Sequence, residues 1–134
     1  MRRFMCIDSD GVTLGDEALI EDWHSNPDAW LWIDLEGEPP EAEKALLVDR
    51  LGLEPTDLED AQRPRHPPQF HPRGTGFFLL LKALRAESHD MDFTTQQVAV
   101  FLADRLLVTR RDYAQAGGFP DQPLMEDVAL VRAL

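Results

Sequence analysis

Apolar and polar residues alternate most cleanly over Ala29-Trp30-Leu31-Trp32-Ile33-Asp34-Leu35, which predicts a strand with Trp30, Trp32 and Asp34 on one face and Leu31, Ile33 and Leu35 on the other. Period two also marks Arg3 to Asp8, with Phe4 and Cys6, and Ile7 as a further candidate, facing inward. The turn Ser9-Asp10-Gly11 offers Val12-Thr13-Leu14 as its hairpin partner. The most apolar run, Phe77-Phe78-Leu79-Leu80-Leu81, lies in a predicted strand from Thr75 to Arg85. Both of its faces are apolar, so a central place in the sheet is expected. Phe93 to Leu102 and Arg105 to Arg110, joined at Ala103-Asp104, complete an antiparallel meander with it. Glu87-Ser88-His89-Asp90 is the expected turn between the first two.

Helical spacing appears between these runs. A first helix is expected after Asp16 as N-cap, with Leu19 and Trp23 on one face and Asn26-Pro27-Asp28 ending it. A second begins at Pro39-Pro40, where proline suits the first turn, and has its apolar side centred on Leu47 and Leu51 with Gly52 as its stop. A short acidic helix opens at Pro55, and Thr56 and Glu59 have capping-box spacing. Pro64, Pro67, Pro68 and Pro72 then forbid helix and hold the chain extended. After the break at Gly117-Gly118-Phe119-Pro120, Leu124, Val128, Val131 and Leu134 read as an amphipathic helix cut off in mid-pattern, as in a piece of a longer protein.

Composition narrows the function. At 134 residues with 43% apolar content the chain is one folded domain, 1–134. A net charge of −12 argues against nucleic acid or anionic lipid as partner, both of which need a basic face, and suits cations. The charge is uneven: residues 8–60 hold 17 Asp or Glu against 2 Lys or Arg, and residues 61–111 hold 4 against 8. A single cysteine, Cys6, excludes an intramolecular disulfide and a Cys-based zinc site, and fits a reducing compartment. The N-terminus turns polar too early for a signal peptide, and no apolar run approaches the ~20 residues that span a bilayer.

Enzymatic motifs are missing. Gly74-Thr75-Gly76 lacks the third glycine and lysine of a phosphate loop, and no serine sits in a nucleophile elbow. His24, His66, His71 and His89 lack helical ligand spacing and read as solvated loop histidines. The carboxylates remain. Asp34, Glu36 and Glu38 leave the end of a strand, and Asp57 and Asp60 are placed to converge on the short helix. Mg2+ prefers oxygen ligands and keeps several waters, so one or two carboxylates suffice. A metal-dependent hydrolase using Asp34, Glu36 and Asp60 is disfavoured, because no base, nucleophile or phosphate cradle accompanies them.

The series Trp32-Ile33-Asp34-Leu35-Glu36-Gly37, an amphipathic helix, Leu53-Glu54-Pro55, Leu58-Glu59-Asp60, Phe78-Leu79-Leu80-Leu81-Lys82, Gln97 to Leu102 and Leu107-Val108-Thr109 resembles the cytoplasmic N-terminal domain of CorA-type divalent-cation transporters, including their ZntB-like zinc branch. The resemblance covers about residues 3–112. It departs where the family commonly has Leu-His-Pro and, before the meander, Arg-Pro-Lys; here the latter positions look like Pro67-Pro68-Gln69. No transmembrane helices and no Gly-Met-Asn pore signature are present.

The resemblance implies an α/β/α layered domain around a mixed, partly antiparallel sheet, on the cytoplasmic face of the inner membrane. It implies no enzyme activity but a cation-sensing role within a homopentamer. It assigns Glu59 and Asp60 to regulatory metal sites, most simply for Mg2+, completed by an acidic residue on a neighbouring subunit's stalk helix. Co2+, Ni2+ and Zn2+ stay open as cations. The partners implied are the protein's own transmembrane and stalk region and neighbouring subunits. The alternative is a free-standing soluble interaction module of the same fold with no role in transport.

Overall fold

Two unlike faces of one strand set the layout. The computed structural model describes residues 1–84 and 95–112. Their strands are β1 Arg2–Asp8, β2 Gly11–Gly15, β3 Trp30–Glu36, β4 Gln69–Arg73, β5 Gly76–Leu84, β6 Thr95–Ala103 and β7 Leu106–Arg111. They form one seven-stranded sheet of order β2-β1-β3-β7-β6-β5-β4. β3 and β7 pair in parallel and all other neighbours antiparallel, so the sheet is mixed. The helices are α1 Leu19–Ser25, α2 Pro40–Lys44, which runs on as a π-helical segment Ala45–Arg50, and α3 Pro55–Gln62.

Register carries the core across the sheet. Phe4, Ile33, Val108, Phe101 and Phe78 stand opposite one another in successive strands. All five are buried, and Leu19, Ile20 and Trp23 of α1, Leu46 and Leu47 of the π-helical segment, and Leu58 and Ala61 of α3 close over them in one cluster. Each fully buried Leu or Ile of this kind contributes roughly 2 kcal/mol. The wider helical turn is visible in the bond from Leu51 N–H to Leu46 O, and Gly52, at φ +75°, ends the segment as expected.

Several expectations change. β5 is not central; it is the second strand from an edge, and β7 takes the middle. Its two faces differ, with Phe78 and Leu80 buried and Phe77, Leu79 and Leu81 only half-buried. The proline-rich connector supplies the edge strand β4, where Pro72, lacking an N–H, sits without breaking an inner ladder. Ile7 alternates away from the core and is exposed. Asp16 accepts a hydrogen bond from Ala18 N–H but the α-helix starts only at Leu19. Pro55 takes the first position of α3, so Glu54 is the N-cap and the Thr56–Glu59 capping box does not form. The expected turn at Glu87–Asp90 and the helix from Leu124 to Leu134 lie outside the described residues.

The β6–β7 turn is fixed from outside. Arg105, at φ +55°, sends Nη1 to the carbonyls of Asn26 (2.9 Å) and Ala29 (2.7 Å), and its guanidinium lies over the Trp23 ring. Its own carbonyl accepts from Trp23 Nε1 and Leu31 N–H at 2.9 Å each. One residue thus ties α1, the entry to β3 and the β7 turn together.

Candidate functional site

The two carboxylate groups singled out by the sequence have different surroundings. Asp34, Glu36 and Glu38 stand at and beyond the end of β3, and each is engaged by cationic groups. Asp34 accepts from Arg111 Nη1 (2.9 Å) and the Thr109 hydroxyl (2.8 Å), and faces Arg3 Nη2 at 3.1 Å. Thr109 in turn accepts from Trp32 Nε1 at 3.0 Å. Glu36 lies 3.4 Å from Arg111. Glu38 pairs with the N-terminal amine at 2.8 Å and with Arg2 at 2.7 Å. These arginines satisfy the negative charge that a cation would otherwise neutralise.

Glu38 titrates below its ordinary value of 4.5, chiefly through the hydrogen bond from the N-terminal amine, with burial opposing and Arg2 assisting. Because the folded value is depressed, this pairing stabilises the fold above pH 4.5 and the contribution is lost as pH falls through the folded value. Glu38→Gln is therefore expected to lower stability at pH 7 and to match the parent more closely near about pH 3. Urea denaturation at the two pH values checks this; an equal gap at both contradicts it.

α3 is arranged differently. Its inward side carries Asp57, Leu58 and Ala61, all buried. Asp57 is gripped by Arg73 of β4 through Nε at 2.9 Å and Nη2 at 2.7 Å, and that bond is the main reason why the Arg73 pKa is raised. Asp60 points elsewhere: Oδ2 accepts from Gln69 Nε2 at 2.9 Å, and Oδ1 lies 3.5 Å from His66 Nε2. Asp57 and Asp60 therefore do not converge, because each is claimed by a different residue of the connector and β4. Glu59 is exposed and borders an open groove of about 300 Å³ between α2 and α3, lined also by Pro40, Glu41, Lys44 and Leu58.

Glu59 and Asp60 are the predicted site residues; α3 turns Glu59 to solvent beside the α2 groove and Asp60, partly buried, toward Gln69 and His66. Among the described residues no group of three or more His, Cys, Asp or Glu side chains is placed to enclose a metal ion.

Two groupings lie outside the carboxylate clusters singled out by the sequence. His66 is not a solvated loop residue: its side chain is only 16% exposed and its backbone N–H donates to Gln97 Oε1 at 2.9 Å. His71 likewise sits within β4 and stacks parallel to Phe78. The second grouping is a buried ion pair, Glu43 Oε2 accepting from Arg110 Nε at 2.8 Å. Glu43 precedes Leu47 by one helical turn on the apolar side, and Arg110 continues the inward set Leu106 and Val108 of β7. Those periodicities place both charges in the core.

A mixed seven-stranded sheet, helices that close a core on one of its faces and an acidic helix open at the surface define an α/β domain without a nucleophile or phosphate cradle among the described residues. The chain belongs to the CorA-like Mg2+ transporter protein family, whose profile matches residues 27–114. Comparison with curated proteins gives no match. Among solved structures, the chain is similar to the complete CorA magnesium transporter from Methanocaldococcus jannaschii, with 20% identity over 99% of this chain and a TM-score of 0.62. It is similar to the full-length CmaX protein with 16% identity over 96% and a TM-score of 0.65. The ZntB cytoplasmic domain from Vibrio parahaemolyticus RIMD 2210633 gives 11% identity over 97% and a TM-score of 0.60. At these identities the likeness establishes the fold. The chain spans 38%, 39% and 53% of those three proteins, respectively. No described helix is long and apolar enough to cross a membrane.

Proposed function

We propose that this chain is the cytoplasmic cation-sensing domain of a CorA-type divalent-cation transporter, and that Glu59 and Asp60 are its contribution to a regulatory site. Membership of the family supports the transporter context. The observation that carries the site is a contrast. Asp34, Glu36, Glu38 and Asp57 are each engaged by arginine. Glu59 is exposed, and among the described residues Asp60 has an amide donor and an imidazole beside it but no arginine. These two carboxylates are thus the pair on α3 that an added cation can reach.

The mechanism is electrostatic. Carboxylates on α3 that face an acidic group of a neighbouring subunit repel it across the boundary, since salt screens such charges only beyond about 8 Å. A bound Mg2+ removes that repulsion and holds the subunits together; its loss restores it, and the assembly shifts toward the conformation in which the carboxylates stand apart. The domain itself performs no covalent chemistry in this reading.

The test uses the full transporter. Millimolar Mg2+ is expected to protect it from limited proteolysis. Asp60→Ala is expected to raise the Mg2+ concentration for half-protection roughly tenfold or more, since a loss of that order follows even from removing groups that merely support a ligand. Unchanged protection in Asp60→Ala would remove Asp60 from the site. Absence of any Mg2+ effect on the parent protein would remove the cation-sensing role.

A further inference from the structure

We infer that His66 is a second protein donor beside Asp60, and that the two together form a nitrogen–oxygen half-site selective for borderline divalent cations such as Zn2+. The inference rests on the reading of Asp60 as a cation ligand and extends it to the choice of cation.

The distance is the first argument. His66 Nε2 and Asp60 Oδ1 are 3.5 Å apart. A charge-assisted N–H···O bond closes to roughly 2.7–2.9 Å, so the two groups are too far apart to be well bonded to each other. Zinc bonds to nitrogen and oxygen run about 2.0–2.2 Å, and a tetrahedral angle between two such bonds separates the donors by roughly 3.4 Å. The observed gap suits a bridging ion better than a bridging proton.

The proton placement is the second. His66 Nδ1 lies 3.0 Å from Pro67 O. A carbonyl oxygen only accepts, so the Nδ1 atom carries the hydrogen in this contact. In the neutral ring Nε2 then presents a lone pair directly to a carboxylate oxygen. With Nδ1 engaged by Pro67 O, Nε2 is the ring nitrogen that faces Asp60 Oδ1 and is placed to share a cation with it. A metal-binding histidine commonly has its other ring nitrogen donating to a backbone carbonyl, and the contact of His66 Nδ1 with Pro67 O is of that kind.

Preorganisation is the third. The backbone of the connector is pinned before any ion arrives. Gln97 of β6 accepts from His66 N–H at 2.9 Å and donates to the carbonyls of Ala61 (3.0 Å) and Arg63 (2.8 Å). Arg65 adopts φ +60°, an uncommon conformation for a residue with a side chain, and Pro67-Pro68 stiffen the approach to β4. Gln69 holds the other oxygen of Asp60. Both donors are 16% exposed, buried enough to be oriented and open enough for water to complete the shell. An imidazole ligand shifts preference away from Mg2+, which takes oxygen donors, toward Zn2+, Ni2+ and Co2+.

The experiment is a titration of the present chain with Zn2+ and, separately, with Mn2+ as a paramagnetic stand-in for Mg2+, near pH 8, where imidazoles are neutral. Imidazole nitrogens are observed by long-range proton–nitrogen NMR and Zn2+ affinity by calorimetry. The expected result is that Zn2+ first shifts Nε2 of His66 while its Nδ1 stays protonated. His66→Gln should weaken Zn2+ binding roughly tenfold and leave Mn2+ broadening around Asp60 unchanged. If Zn2+ first shifts His24, His71 or His89, or if His66→Gln binds Zn2+ as the parent does, the inference is overturned while the sensing role of Asp60 stands, provided that Mn2+ still broadens its neighbourhood. If Mn2+ leaves Asp60 untouched and Zn2+ still engages His66 in Asp60→Asn, the sensing role of Asp60 fails, and the shared half-site fails with it.

Discussion

Glu43→Ala is expected to destabilise the fold by about 3 kcal/mol, because it removes the buried carboxylate that faces a core guanidinium and leaves the exposed Asp112 as its remaining counterion. Glu43 and Arg110 are 1% and 4% exposed at their side chains. Arg110 Nε donates to Glu43 Oε2 at 2.8 Å, its Nη1 to Ala61 O at 2.6 Å and its Nη2 to Asp112 at 2.8 Å. The other oxygen of Glu43 accepts from Gln62 at 3.0 Å. The pair therefore joins α2, α3 and β7 at one buried point. With alanine at position 43, two hydrogen bonds and the buried one of two countercharges vanish, and the cavity left behind adds to the cost. Domains of this size are stable by roughly 5–15 kcal/mol, so the variant should lose a substantial fraction of that stability. Replacing both partners, as in Glu43→Leu with Arg110→Met, should recover most of the loss, since a well-packed apolar pair often matches a buried ion pair. Urea denaturation of the two variants checks both statements. A loss below about 1 kcal/mol for Glu43→Ala would show that water reaches Arg110 after all.

The second large effect falls on Gly76. A Cβ there would stand 1.8 Å from the carbonyl oxygen of Leu102 and 2.6 Å from its carbon. Those atoms belong to the β6 backbone, which pairs with β5 from Phe77↔Leu102 to Leu84↔Thr95 and cannot swing aside as a side chain could. Gly76→Ala must push the strands apart at the start of the ladder, and a cost of about 3 kcal/mol or more is expected, at the upper end for overpacking. Gly74 is the internal comparison. A methyl group at Gly74 would meet nothing within 4 Å among the described residues, but the φ of +59° there disfavours any side chain. Gly74→Ala should therefore cost only about 1–2 kcal/mol. Thermal denaturation should rank parent, Gly74→Ala and Gly76→Ala in falling order; a reversed order of the two variants contradicts the steric account.

The strands are legible in the sequence because period two is a local property. Trp30 to Leu35 sort onto the faces that the structure shows, and the three-strand meander runs in the expected order. The place of each strand in the sheet is not local. Phe77 to Leu81 read as central because five successive residues are apolar, yet β5 is a penultimate strand with one face only half covered by the described residues. β4 is hidden by its prolines, which a sheet tolerates chiefly at an edge. Side-chain partners are the least legible. Asp57 and Asp60 share a helix face by spacing, but Arg73 and Gln69, brought back by the β4 strand, separate them. His66 lies six residues beyond Asp60 across a turn at Arg65, and no periodic rule predicts that approach. Glu43 and Arg110 carry a readable signal: each sits in phase with its apolar neighbours, and two opposite charges in one core must meet.

The central claim is that cations act on this domain at α3. The most direct measurement is Mn2+ broadening of backbone amide signals in the labelled chain, which detects even weak, fractional occupancy. Broadening strongest at Glu59 and Asp60 and extending to His66 is the predicted result. Broadening centred instead on Asp8, Asp10 and Asp16, or on Asp34 to Glu38, with the amides of Glu59 and Asp60 unaffected, would contradict it.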